Sequence, residues 1–314
     1  MLIDFHIHLD PGAQGTDAPR TRYRDGIPVY TEHNRSADVK GLLSVMDTCG
    51  IDVAVLSCGR GLRGEATEAK NANRALADVC AGHPNRLRHL AHVPPPGPGW
   101  LDEVESWLDT CPGAAVPADY GELRLDDARF EDLYSLLERR RRFLWVHPSM
   151  APGRAEAGLY DAYDLYRTVG REFALVSATL RLVLGGVLDR HPGLVLVISH
   201  LGGGISALAP RVRHYQDKTM WGVAQDPVHG RRPRLPFDDY LKRIYFDTGG
   251  FFGDPSVVRI ALEHIPGDRI LLGTDYPQEI RGPEPIRGLV AEFVRQGIAG
   301  NGMQLIGGAA CGAA

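Results

Sequence analysis

The chain has 314 residues, 44% of them hydrophobic and 24% charged, with a formal net charge of −4. That composition suits a globular protein with a large core. It excludes the strongly basic surface that a nucleic-acid or acidic-lipid partner requires.

Strand-like and helix-like segments alternate from the start. Leu2 to His6 is a short apolar strand with a polar end. A long Gly/Pro-punctuated loop follows from Asp10 to Asn34, too long for a plain connection and therefore expected to be a functional insertion at the active site. Ala37 to Cys49 has helical spacing, with Val39, Leu42, Leu43 and Met46 on one face and Gly50 as its C-cap. Val53 to Ser57 reads as a strand, Ala66 to Ala81 as a helix and Arg86 to Val93 as the next strand. The run Pro94-Pro95-Pro96-Gly97-Pro98 cannot be helix interior and reads as a rigid turn. A helix over Leu101 to Thr110, a weak strand at Ala114 to Val116 and a helix over Asp127 to Arg139 come next. Arg139 to Arg142 read as a solvated helix end, a favourable place for cations. Phe143 to His147 is a strand stopped by Pro148. Val169 to Asp189 is a long helix with a break at Gly185-Gly186. Leu194 to Ser199, Arg243 to Asp247 and Arg269 to Gly273 are the last strands, with helices at Pro255 to His264 and Pro285 to Gln296.

Continuous apolar strands between amphipathic helices imply a parallel sheet covered by helices. About eight such units with no dividing linker predict one (β/α)8 TIM barrel domain over residues 1–314, ahead of an open doubly wound sheet. The five cysteines (Cys49, Cys58, Cys80, Cys111 and Cys311) are odd in number and form no CxxC pair, which points to a reducing compartment. The first residues carry no basic region and no long apolar run, so no signal peptide is expected. No stretch approaches ~20 uninterrupted apolar residues, so no membrane span is expected. The expected location is the cytoplasm.

Four apolar strands end in metal-competent side chains: Phe5-His6-Ile7-His8, Trp145-Val146-His147, Ile198-Ser199-His200 and Gly273-Thr274-Asp275. Strand C-termini of a barrel share one face, so these side chains converge. His6 and His8 have strand spacing and point the same way. A lone HxH is ordinary polar capping about as often as not; its companions give it weight. Imidazoles grouped with a carboxylate suit Zn2+, with Mn2+, Co2+ or Fe2+ as alternatives. The lysines are Lys40, Lys70, Lys218 and Lys242. None lies between Gly113 and Tyr120. Gly202-Gly203-Gly204 reads as a tight turn into a helix rather than a phosphate cradle. Asp247 reads as a hydrogen-bonding carboxylate at the seventh strand's end, with a substrate contact as the alternative. Arg60 and Arg211 are candidates for binding a substrate carboxylate, which an arginine fork pairs bidentately. His33, His83, His89, His92, His191, His214, His229 and His264 fit no motif.

The HxH, the two strand-end histidines, the Gly-Thr-Asp-Tyr-Pro at 273–277 and the stretch Leu184 to Pro192 resemble the amidohydrolase-related family. Within it they are similar to the aminocarboxymuconate-semialdehyde decarboxylase-like branch, from Ile3 to about Ile306. The resemblance implies that His6, His8, His147 and Asp275 are metal ligands, that His200 stands beside the metal-bound water or substrate, and that the site is mononuclear, since two-metal relatives carry a bridging lysine at the fourth strand and this chain has none between Gly113 and Tyr120. It implies a small carboxylic acid as substrate and a homodimer as assembly. Two departures accompany it. The tail Gly307 to Ala314 replaces the family's Asn-Ala-containing helix, and Ser149-Met150 follows His147-Pro148 where the family's decarboxylases often carry Trp or Arg. Non-oxidative decarboxylation of an unsaturated or aromatic acid is the preferred reaction, with Asp275 and His200 moving protons. Hydrolysis of a lactone, amide or ester by the same constellation is the rival. A purely structural metal is disfavoured, because structural zinc is held by ligands on local loops.

Overall fold

In the computed structural model the described residues are 1–307 without 12–15, 25–26, 35–37, 217–229, 231, 279 and 281, and between 12 and 37 the description covers backbone alone. β1 (Ile3–His8) is followed by β2 (Thr16–Arg24), β3 (Ile27–Asn34), α1 (Val39–Cys49), β4 (Val53–Ser57), α2 (Ala66–Gly82), β5 (Leu87–His89), β6 (Ala91–His92) and α3 (Trp100–Trp107). Then come β7 (Gly113–Pro117), β8 (Asp119–Tyr120), β9 (Leu123–Arg124), α4 (Glu131–Arg140), β10 (Phe143–His147), α5 (Arg171–Leu184) and α6 (Val187–Arg190). The last third contains β11 (Leu196–Ile198), α7 (His200–Gln216), α8 (Phe237–Leu241), β12 (Ile244–Asp247), α9 (Ser256–Leu262), β13 (Ile270–Leu271), α10 (Pro283–Arg295) and α11 (Met303–Ile306).

The strands close on themselves. β1, β4 and β5 pair in parallel, and β6, β7, β10, β11, β12 and β13 form a second parallel run. β5 and β6 are halves of one strand around Leu90, whose N–H donates to Leu56 O at 3.0 Å while Val93 N donates to Ala115 O at 2.9 Å. The other seam joins the last strand to the first: Phe5 N donates to Leu272 O, Asp275 N to His6 O and His8 N to Tyr276 O, each at 2.8 Å. The result is the eight-stranded (β/α)8 barrel.

Alternation along each strand sorts the side chains. Phe143 and Trp145 point into the barrel with Val197, Tyr245 and Leu271, whereas Leu144, Val146, Ile198 and Phe246 face the helices. A register shift between Asp4 and Ile7 interrupts the alternation in β1. It lets Ile3 and Phe5 fill the interior floor while His6 comes to face Trp145; bulges re-aim side chains in this way at barrel rims.

Several expectations are refined. Residues 10–34, read as a loop, contain the antiparallel ribbon of β2 and β3. α5 ends at Leu184 and α6 begins at Val187, with left-handed Gly186 between them (φ 77°), so the double glycine does break that helix. α8, α11 and the β8–β9 ribbon were not foreseen; each is five residues or shorter, below the length at which periodicity is readable. The tail beyond residue 307 lies outside the described residues. Among the described residues, no helix is long and apolar enough to cross a membrane.

Candidate metal centre at the barrel mouth

The C-terminal ends of β1, β10 and β13 bring together the side chains singled out by sequence. His6, His8, His147, His200 and Asp275 are all buried. The donor atoms of His6, His8 and His147 lie within 4.8 Å of one another, as do those of His6, His200 and Asp275. His6 Nε2 is 3.1 Å from His8 Nε2. Asp275 Oδ1 is 3.1 Å from His8 Nε2 and 3.4 Å from His6 Nε2.

The partners of the far nitrogens fix the tautomers. His6 Nδ1 donates to Asp247 Oδ1 at 2.9 Å. His8 Nδ1 donates to Ser57 Oγ at 2.8 Å, because that hydroxyl turns its own hydrogen to Ile7 O at 3.4 Å. His147 Nδ1 donates to Pro148 O at 2.8 Å. Each ring therefore directs its Nε2 into the same space. Asp275 Oδ1 is buried there with no hydrogen-bond partner. His6 Nε2 and His8 Nε2, 3.1 Å apart beside an unpartnered carboxylate oxygen, make a pocket that needs a positive charge: a proton on His6 in the metal-free protein, or a bound cation. Three imidazoles and one carboxylate thus fit a single divalent cation, with donor types and number that match zinc-like coordination.

The electrostatics agree. Burial opposes a charge on His6, but Asp247 and Asp275 outweigh it and push its pKa up to about 10. The pocket demands one positive charge. Burial holds His8 below the usual histidine range, and burial with the neighbouring imidazoles holds His147 well below it. Burial would neutralise Asp275, yet His6 and His8 keep its carboxyl well below the usual carboxylate range.

Supports lie directly behind these groups. Asp247 Oδ1 also accepts from Gly249 N at 2.9 Å, and its Oδ2 accepts from Trp145 Nε1 at 2.8 Å. A side chain at Gly249 would strike the His6 ring, and a Cβ at Gly273 would lie 2.7 Å from Asp247 Oδ1. Buried Asp4 accepts from His6 N (3.0 Å), Thr274 N (3.1 Å) and Thr274 Oγ1 (2.7 Å), which pins the strand carrying His6 to the segment carrying Asp275. Asp275 itself adopts a left-handed φ of 58°, a strain typical of functional positions.

His200 begins α7 in a run of left-handed residues through Gly204, the tight turn expected there. Its ring stacks on His6 at 5.2 Å. Its Nε2 lies 3.8 Å from Asp275 Oδ2, and its Nδ1 is 2.8 Å from Glu172 Oε1. Sequence reasoning passed over Glu172: it sits inside a helical run, 28 residues from His200, with no motif around it.

The two arginines part company. Arg60 stands just after β4 with its Nε 2.7 Å from Asp10 Oδ1, close behind His8 in sequence. Arg211 does not join the site. It is exposed on α7, over the Tyr215 ring at 4.9 Å, beside Leu180, Leu184 and Leu208 on the outer surface. The helices that follow barrel strands run away from the mouth, and the helical part of α7 beyond Gly204 carries Arg211 that way. His92 is structural: buried, it accepts from Cys58 N at 2.9 Å, and burial lowers its pKa to about 3.

A family model described as amidohydrolase matches residues 3–289. The chain is 27% identical over 263 residues to the gamma-resorcylate decarboxylase of Rhodococcus jostii, covering 76% of each protein. It is 22% identical over 344 aligned positions to the 2-amino-3-carboxymuconate-6-semialdehyde decarboxylase of Dictyostelium discoideum, covering 98% of this chain and 90% of that one. The fold is similar to a manganese-bound 5-carboxyvanillate decarboxylase of Novosphingobium aromaticivorans, with TM-score 0.68 and 21% identity over 79% of this chain and 73% of the other.

Proposed function

The chain belongs to the amidohydrolase family, and from that premise we propose that it is a metal-dependent, non-oxidative decarboxylase of an aromatic or unsaturated carboxylic acid. The observation that carries this reading is the cluster of His6, His8 and His147 donor nitrogens with unpartnered Asp275 Oδ1 beside His6 and His8, in a chain similar along its length to decarboxylases. Those four residues are the proposed ligands of one divalent cation. The donor set favours Zn2+, and the manganese-bound relative makes Mn2+ the next choice. When bound, the cation is a Lewis acid that orients the substrate's carboxylate and neighbouring oxygen and draws off developing negative charge.

The rest is the work of the chain. With the cation bound, His6, His8 and His147 would serve as neutral ligands, each donating its one hydrogen from Nδ1 to a partner behind it. Asp275 is both ligand and proton carrier, with its Oδ2 turned toward His200. A proton taken up from solvent or from an acidic group of the substrate is held between His200 Nε2 and Asp275 Oδ2, and passes from there to the ring or alkene carbon that bears the carboxylate. The carbon–carboxyl bond then breaks, its electron pair returns to the ring or alkene, and CO2 leaves. Burial of all five side chains keeps bulk water from competing. Arg60 is the proposed anchor for a polar group of the substrate, held at the rim by Asp10. The ribbon within residues 10–34 leaves β1 just beyond His8 and is proposed as a cover for the mouth.

The test is CO2 release from hydroxybenzoic and unsaturated acids, run beside a panel of lactones, amides and esters. Decarboxylation that disappears on chelation supports the proposal. Hydrolysis of the second panel with no CO2 from the first contradicts it.

A further inference from the structure

Glu172 belongs to the first turn of α5, remote in sequence from every strand end, yet its Oε1 lies 2.8 Å from His200 Nδ1. No motif assigns it a role. The local backbone is shaped around this contact. Gly203 packs so tightly on the Glu172 carbonyl that any side chain there would collide with it, and Gly250 lies flat against the His200 ring where a side chain would strike Nδ1. With His6 stacked at 5.2 Å, the imidazole has little freedom except rotation about its own axis, and that rotation decides which nitrogen meets Asp275.

We propose that Glu172 is a positioning residue: by accepting the hydrogen of His200 Nδ1 it fixes the tautomer and ring orientation that turn bare Nε2 toward Asp275 and the substrate. His200 Nε2 is buried without a hydrogen-bond partner and lies 3.8 Å from Asp275 Oδ2, so nothing on that side holds the ring. The second oxygen of Glu172, Oε2, also has no partner. An amide at this position is therefore free to turn its oxygen toward Nδ1 and preserve the contact, whereas a carboxylate locked through both oxygens would force the amide nitrogen inward. The role is orientation of a neighbour, which a carboxylate or a correctly turned amide performs alike.

This inference deepens the decarboxylase reading and rests on it for the kinetic arm alone. The first arm is nitrogen-15 histidine NMR on the zinc-loaded wild-type protein without substrate, with the His200 signals assigned by a His200→Gln variant. A hydrogen on Nδ1 is expected; a bare Nδ1 with the hydrogen on Nε2 overturns the proposal, and it does so whether or not any acid is turned over. The second arm compares Glu172→Ala and Glu172→Gln on an acid that the wild type decarboxylates. The alanine variant should lose about 100-fold in kcat, the effect of a misplaced catalytic group, with KM and metal content unchanged. The glutamine variant should recover most of that loss. An alanine variant within about twofold of wild type, or a glutamine variant as poor as alanine, contradicts the proposal. If the wild type releases no CO2 from any acid, the decarboxylase reading fails and the spectrum alone decides the role of Glu172.

Discussion

Histidine meets carboxylates at both ends of this barrel, under opposite rules. At the foot, before β11, His191 gives Nδ1 to Glu138 at 2.9 Å and Nε2 to Glu131 at 2.8 Å, and Arg190 closes on the same Glu131 at 2.7 Å. Asp189 beside it accepts from Arg234 N at 3.1 Å. Every ring nitrogen there has its own partner, and the cluster ties α6 to α4. At the mouth, His6, His8 and His147 each commit one nitrogen behind them, and the other nitrogens of His6 and His8 lie 3.4 and 3.1 Å from an unpartnered carboxylate oxygen. Buried polar groups in folded proteins are normally satisfied. A group left short by several separate strands marks a place kept for a ligand, and a fully paired one marks a place that holds the fold.

Removing a donor at the mouth is the strongest way to break this contrast. His8→Ala should abolish metal retention and activity while leaving the thermal midpoint of the metal-free protein unchanged or raised, because one source of repulsion is gone. Metal analysis and calorimetry on the same sample check it. Asp247→Ala removes the acceptor behind His6 and the partner of Trp145, so metal affinity should fall about 10–100-fold, the usual cost of losing an outer-shell partner. A competition titration with a chelator measures that loss.

Metal binding should also release a proton. Without a cation His6 is charged below about pH 10, and a ligand must be neutral. Near pH 8 binding should therefore release about one proton, and affinity should climb with pH until His6 deprotonates unaided. The sign for stability is the reverse: a raised histidine pKa stabilises the metal-free fold fully below the unfolded value near 6.5, and that contribution is lost as pH rises through about 10. Calorimetry of metal binding in buffers of different ionisation enthalpy gives the proton count. The smallest effect on activity belongs to the foot. His191→Ala should lower stability by about 2–3 kcal/mol through two lost charge-assisted hydrogen bonds, with kcat and metal content unchanged; denaturant unfolding beside steady-state kinetics separates the two.

The strands, their order and the residues at their ends were legible because each barrel strand is an apolar run stopped by a polar residue, and parallel topology sends all those ends to one face. The stretch from Leu184 to Pro192 was equally visible as a pattern, but its work is at the foot, where His191 and Asp189 hold helices together. The ribbon within 10–34 carried a signal that was passed over: Asp25-Gly26 between two β-prone runs is a hairpin turn sequence. Arg211 is hard to place from sequence, which shows that a helix follows His200 but not that the part beyond Gly204 leads away from the mouth. Asp4 and Glu172 were invisible as functional supports. Their partners, Thr274 and His200, lie 270 and 28 residues away, and only the closed barrel brings them into contact.

The most direct test is anomalous diffraction from crystals of the protein grown with Zn2+, recorded at the zinc edge. A single strong peak about 2.0–2.2 Å from the Nε2 atoms of His6, His8 and His147 and from the carboxylate of Asp275 is the predicted result. No peak at the mouth, or a peak at His191 between Glu131 and Glu138, would contradict the account.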